Sequence, residues 1–421
     1  MIKYIKNIDA FGKNVILVFL GTSVANLFNL LFQLLIAHRL SLVDFAAFNS
    51  LLSIFMIIGT PLGTLQAALA KYSAEFKAKE QLKKVKSLLS SFFIKAVILA
   101  VLTFFIFYFA RFYITDKLKI FSATSGYILA ILVAVSWFSP MFSGGLQGLE
   151  LFKWLMAVAL ITGALKLVLV FIFIQLGFNV SGALGAWSIS LLAGYAIAYF
   201  PLRNFLSFKR EQDQVNFKEI LLYLLPVAIS YLCYASLVNM DMVLVRYLFT
   251  AQNSGLYSLA QMMGKIFLFL PGAISIVMFP RASGLNAQNI DTGSTLKRSL
   301  LYASILCISA ALIYNLFPNL VLNILTGKTS AESIALGRLF SVSMSFFALS
   351  FILINYFLSL KDLRFIKYLV LFTLAQLLGI IFFHRSLVQV QMIIVVNAIL
   401  LFSAHLILAY RRNTQPQNLS V

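Results

Sequence analysis

Apolar residues in this chain fall in long, nearly unbroken runs separated by short polar segments, with neither the strict alternation of a half-buried strand nor the one-sided stripe of a soluble helix. Twelve runs have the length a helix needs to cross a hydrocarbon core. They lie at 14–38, 45–69, 88–110, 121–148, 154–175, 182–202, 220–247, 255–280, 299–318, 334–360, 367–383 and 391–410. The pattern predicts an all-α polytopic membrane protein with about twelve transmembrane helices.

The polar positions inside the runs carry a second pattern. Thr22, Asn26, Asn29 and Gln33 are spaced four, three and four apart, which puts them on one face of the first helix. At an offset of 208 they fall on Ser230, Tyr234, Leu237 and Asp241 in the seventh. Pro61 and Pro271, Lys71 and Arg281, and Ser73 and Ser283 are each 210 apart, and Phe48 matches Tyr257 at 209. Six spans separate the copies, so the halves are expected to be parallel repeats about an axis along the membrane normal, the geometry of a transporter. The expected layout is an N-terminal six-helix bundle at 1–205, a cytoplasmic linker at 206–218, a C-terminal six-helix bundle at 219–412 and a polar tail at 413–421. Both polar stripes are expected to line a shared cavity; hydrogen bonding between packed helices uses the same residue types. Ser136, Ser139, Ser143 and Gln147 form a similar face in the fourth span. Pro61, Pro140 and Pro271 interrupt their spans and are candidate hinges or static kinks.

Composition agrees. Hydrophobic residues make up 61% of the chain, charged residues 11%, and the mean hydropathy is +0.95. The formal net charge of +20 would indicate nucleic acid in a soluble protein. Here the basic residues concentrate on one side, as in the loop holding Lys71, Lys77, Lys79, Lys83, Lys84 and Lys86. That asymmetry places both termini in the cytoplasm, explains the charge as an inner face attracted to anionic lipid, and removes the argument for nucleic acid. The connecting loops are too short for a soluble catalytic domain. Cys233 and Cys307 lie in apolar runs without metal or disulfide spacing, and His38, His384 and His405 are scattered near helix ends. No phosphate-cradling loop occurs. The expectation is therefore a non-enzyme with no cofactor and no metal; coupling to H+ or Na+ is left open.

Ionisable residues within spans are costly and mark functional positions. They are Lys95, Lys166, Asp241, Arg246 and Lys265. Lys166 and Lys265 sit near the middle of their helices and are the leading candidates for a cationic cavity that binds an anionic substrate, with Lys95 and Arg246 as further members. For the last two, snorkelling to the headgroups is the competing reading. Lys265 has a second option, an ion pair with Asp241 on the preceding helix.

The run from Ala37 through His38, Arg39, Leu40, Ser41, Leu42, Val43, Asp44, Phe45, Ala46 and Ala47 to Phe48, together with Asp241, the segment Ser254-Gly255-Leu256-Tyr257 and Phe279-Pro280-Arg281, resembles the multidrug, oligosaccharidyl-lipid and polysaccharide (MOP) exporter superfamily, in particular its Wzx-type O-antigen and polysaccharide flippases. The resemblance implies two six-helix bundles in a V, alternating access in the inner membrane, and an undecaprenyl-pyrophosphate-linked oligosaccharide as cargo, as in O-antigen and lipopolysaccharide synthesis. It further implies a polysaccharide polymerase and a chain-length regulator as partners. A cation-coupled multidrug exporter of the same fold is the alternative; no Asp or Glu lies clearly within the first six spans, which weighs against it. A membrane polymerase or ligase is a third reading, disfavoured by the short outer loops.

Overall fold

The computed structural model describes residues 10–206, 217–269, 272–288 and 290–414. Pro271, most of the expected 206–218 linker and most of the 413–421 tail lie outside the described residues. Among those described there are helices and no strand, and ten helical segments are long and apolar enough to cross a membrane. The chain divides into two compact units, Met1–Leu225 and Pro226–Val421.

The first unit contains α1 (Ala10–Arg39), α2 (Leu42–Gly59), α3 (Leu62–Ala78), α4 (Leu82–Lys117), α5 (Ala123–Ser136), α6 (Ser139–Gly148), α7 (Phe152–Gln175) and α8 (Asn179–Leu202). The expected second span is the pair α2 and α3, broken at Thr60 and Pro61, and the expected fourth is α5 and α6, broken just before Pro140. In both places proline removes a backbone donor and forces a new helical start. The α4 helix is longer than a bilayer is thick, so one end, with Lys83, Lys84 and Lys86, projects beyond the apolar zone.

Tight approach in this unit is made by glycine. Gly144 and Gly148, four apart on α6, press on α3: a Cβ at Gly148 would stand 2.5 Å from the Ala70 carbonyl oxygen, and one at Gly144 2.8 Å from that of Gln66. This small-xxx-small crossing works because close backbone approach, rather than a hydrophobic drive, is what holds helices together in lipid. Gly148→Leu is expected to destabilise the unit by about 1–3 kcal/mol, read as a lower melting temperature in detergent. Gly63→Ala, with nothing within 4 Å, should leave that temperature unchanged.

The second unit holds most of α9 (Phe217–Leu248), then α10 (Ala251–Phe269), α11 (Gly272–Ala287), α12 (Gly293–Leu316), α13 (Pro318–Thr326), α14 (Ala331–Ser359), α15 (Ile366–Phe382) and α16 (Leu387–Thr414). Its hub is α14, buried on nearly every side and packed on α10, α11, α12 and α16. The short α13 was expected as loop. It exposes Leu320 and Ile324 while burying Leu322 and Thr326, and ends on Gly327 in the left-handed region, which glycine enters without steric cost.

The repeat inferred from sequence is visible as matched turns. Ser41 caps α2 by accepting the Asp44 N–H at 3.1 Å, and Thr250, 209 residues on, accepts the Asn253 N–H at 3.2 Å at the start of α10. The run ending at Phe48 thus contains a helix-capping turn that is made twice. Glu150 and Lys361 both take positive φ, 59° and 55°, and in each case the next residue's N–H reaches back to close the helix end: Leu151 to Leu146 at 2.8 Å, Asp362 to Phe357 at 3.0 Å. Each turn is then tied by charge, Glu150 to Lys77 at 2.7 Å and Asp362 to Arg364 at 2.7 Å and Arg412 at 3.5 Å. Burial at this turn works to raise the Asp362 carboxyl, but the bonds and charge from Arg364, with the Arg412 charge, outweigh it and hold the group below its ordinary value.

Candidate functional site

Each unit has a polar centre within its transmembrane helices, and the two differ in kind. In the first unit Lys166 projects from the middle of α7 and is 5% exposed. Its ammonium donates to Asn29 Oδ1 of α1 at 2.5 Å and stands 4.6 Å from the ring centre of Phe32 and 4.4 Å from that of Trp187 on α8. Phe32 and Trp187 meet edge to face, and Phe55 of α2 closes on Trp187 at 5.3 Å. Two ring faces and one amide oxygen thus hold a cation away from water. None of the ion pairs among the described residues includes Lys166. The centre therefore holds a cation without a carboxylate partner, a net positive charge where the dielectric is low.

Along α1 the predicted stripe is present: Thr22, Asn26 and Asn29 are exposed and Gln33 is half-buried. Thr22 lies 4.0 Å from the Met156 sulfur. Exposed amides on a membrane-spanning helix need polar company, because lipid offers none.

In the second unit the side chains of the corresponding stripe are engaged within the bundle. Ser230, Leu237 and Asp241 are buried within the bundle. The Ser230 hydroxyl bonds back to the Pro226 carbonyl at 2.8 Å on its own helix, and Tyr234 donates to Phe347 O of α14 at 3.3 Å. Asp241 accepts from the Tyr257 hydroxyl at 2.8 Å and from the Gln261 amide at 3.0 and 3.2 Å. Gln391 of α16 lies 3.1 Å from Tyr257 and 2.8 Å from Ser343 of α14. One hydroxyl proton cannot serve both Asp241 and Gln391. All four groups are satisfied when the Gln391 NH2 faces Tyr257 and its oxygen accepts from Ser343, so the chain of donors ends on the carboxylate. This is a closed network that fixes α9, α10, α14 and α16 together. It also explains the Asp241 and Tyr257 motif, whose two residues touch. In the first unit the matching positions are Gln33 and Phe48, and Phe48 has no hydroxyl to make the bond.

The remaining candidates separate. Arg246 is fully buried and donates to Ala251 O at 3.2 Å, bridging the end of α9 to the start of α10. It is a buried brace rather than an exposed cavity cation. Lys265, half-buried two turns beyond Tyr257, makes no ion-pair contact within 4 Å of Asp241, whose oxygens are taken by Tyr257 and Gln261, but the two charges still attract each other. Lys95 is exposed on the same face of α4 as Ile98, Leu102, Phe105 and Phe109, an apolar stripe distant in kind from the Lys166 centre. His405, expected near an interface, is buried between Phe357 and Phe365. Sequence reasoning missed Gln261, Gln391, Phe32 and Trp187. Gln261 carried a signal, since it follows Tyr257 by four and shares its helix face; the aromatic residues carried none, because most of their kind here only fill space.

Among the described residues no group of three or more His, Cys, Asp or Glu side chains could hold a metal ion.

Comparison with known proteins places this geometry. No curated protein sequence matches the chain. Among solved structures it is similar to a multidrug resistance MATE family transporter of the MOP superfamily in an inward-facing conformation, with a TM-score of 0.75 and 16% identity over 95% of this chain and 100% of that one. It is similar to the lipid II flippase MurJ in an inward closed conformation, with a TM-score of 0.72 and 14% identity over 94% of this chain and 87% of that one. A MOP superfamily transporter from Pyrococcus furiosus, described as having reversed polarity in its binding pocket, gives a TM-score of 0.58 and 17% identity over 95% and 94%. At these identities the likeness is one of fold. The model of the family described as polysaccharide biosynthesis protein matches residues 11–286, well over half of the chain. With its helices arranged as in the MOP superfamily, this chain belongs to the polysaccharide biosynthesis protein family.

Proposed function

We propose that the protein is a flippase that carries an undecaprenyl-pyrophosphate-linked oligosaccharide from the inner to the outer leaflet of the cytoplasmic membrane by alternating access, with both termini in the cytoplasm. The observation that carries this reading is the Lys166 centre, a cation held without a carboxylate partner beside the exposed amides of α1. An anionic pyrophosphate would complete that charge, and Asn26, Asn29 and Gln33 would exchange hydrogen bonds with sugar hydroxyls. Lys265 is the second cation for this role; Lys95 and Arg246 drop out by position. Pro61 and Pro140, at real helix breaks, are the proposed bending points.

A drug-cation exporter would instead need an available carboxylate. Asp241 is the acid in the transmembrane interior, and its oxygens already accept from Tyr257 and Gln261. The two readings part in a depletion experiment. In cells that still make the lipid-linked precursor, loss of the protein should trap the precursor on the cytoplasmic leaflet and leave dye efflux unchanged. An unaltered leaflet distribution with reduced cation-driven efflux would overturn the flippase reading.

A further inference from the structure

On the side of α1 away from its polar stripe the surface is of another kind. Leu31, Leu34, Leu35 and His38 follow helical spacing on that face, and opposite them α7 presents Leu167, Val168 and Phe171. Between the two helices lies a groove of about 560 Å3. Nearer the other end the seam is closed by contact: a Cβ at Gly21 would stand 2.5 Å from the Met156 sulfur and one at Gly163 3.1 Å from Phe28. The groove begins where that zipping stops. Its walls are leucine, valine and phenylalanine, with no hydrogen-bonding group except at the mouth.

At the mouth the chemistry changes. The Arg39 guanidinium lies over the Phe171 ring at 5.9 Å, and Arg39 is exposed. His38 Nδ1 lies 2.8 Å from Leu34 O, and because a carbonyl only accepts, this nitrogen carries the proton. Both α1 and α7 are long and apolar enough to span a membrane. Spanning by α1 and α7 would set the apolar walls of the groove in hydrocarbon and Arg39, the last residue of α1, toward the headgroups, the arrangement of an amphiphile site with an anionic head.

We infer that this groove is a binding site for an anionic phospholipid, its acyl chain between α1 and α7 and its phosphate on Arg39. The occupant is a bilayer lipid and not the cargo, because the groove opens on the face of α1 opposite Thr22, Asn26 and Asn29, where a sugar would find no partner.

The test is native mass spectrometry of the full-length protein titrated with phosphatidylglycerol or phosphatidylcholine. The expected result is preferential retention of one phosphatidylglycerol per chain, reduced about tenfold in Arg39→Gln, the worth of a charge-assisted hydrogen bond. Leu35→Trp, which fills the groove, should lower retention of both lipids, and Lys95→Gln, on the apolar stripe of α4, should change neither. Equal retention of the two lipids, or undiminished phosphatidylglycerol retention in Arg39→Gln, overturns the site. So does displacement of the bound lipid by a polyprenyl phosphate, which would give the groove to the cargo tail, or a dimer that Leu35→Trp dissolves, which would give it to a second copy. Arg39→Gln is a surface change, so the test holds even if Leu35→Trp does not fold.

Discussion

Lys166→Met is expected to cut export of the lipid-linked glycan at least tenfold while leaving the protein folded and present in the membrane at its normal level. The first half follows from chemistry: the substitution removes the ammonium, and a charge-assisted hydrogen bond to a phosphate is worth about 1.5–3 kcal/mol, roughly ten- to more than a hundredfold. The second follows from packing. Methionine is straight-chained and polarizable and can fill the space between Phe32 and Trp187. Replacing a desolvated charge with an apolar group of similar length costs little and often stabilises. Asn29 loses its partner, but on the proposed cavity face its amide can bond to water instead. The check is paired, with glycan reaching the outer leaflet on one side and melting temperature on the other. Full export by Lys166→Met would remove this residue from the site.

The largest effect on stability is expected at Asp241, and it runs the other way. Asp241→Ala strips the acceptor from Tyr257 and Gln261, both fully or almost fully buried. An orphaned buried donor costs about 1–3 kcal/mol. The lower part of that range applies to helices that stay in lipid when they separate, since donors find other partners there. Tyr257→Phe removes only one of the three donor contacts to the carboxylate and should lower the melting temperature less. The double substitution Asp241→Ala with Tyr257→Phe should cost less than the sum of its parts, because the two share one bond. Additive effects would show that the bond contributes nothing.

These two sites show what could be read from the sequence and what could not. Spans were legible because length and hydropathy are properties of the run itself, and the repeat was legible because markers such as Pro61 with Pro271 and Phe48 with Tyr257 recur at a nearly constant offset; the matched caps of Ser41 and Thr250 emerged only from the backbone. Which side a polar residue faces was not legible. Thr22, Asn26 and Asn29 look in sequence much like Ser230, Tyr234 and Asp241, yet the first set is exposed and the second lies in a packed bundle. Helical spacing fixes a face, and only tertiary packing decides what that face meets. The break at Pro140 was legible because proline ends a helix locally, whereas the crossing that Gly144 and Gly148 make on α3 depends on which helix packs there. The α13 helix went unseen because nine residues are too few for hydropathy to register.

The most direct test of the central claim is translocation by the purified protein. Reconstituted into liposomes loaded on the inner leaflet with a polyprenyl-pyrophosphate-linked oligosaccharide, the protein should expose that glycan to an added glycosidase. Lys166→Met should not, and a neutral polyprenyl glycoside should move poorly even with the unaltered chain. Equal exposure of the charged and neutral lipids, or exposure no faster than in protein-free liposomes, would contradict the account.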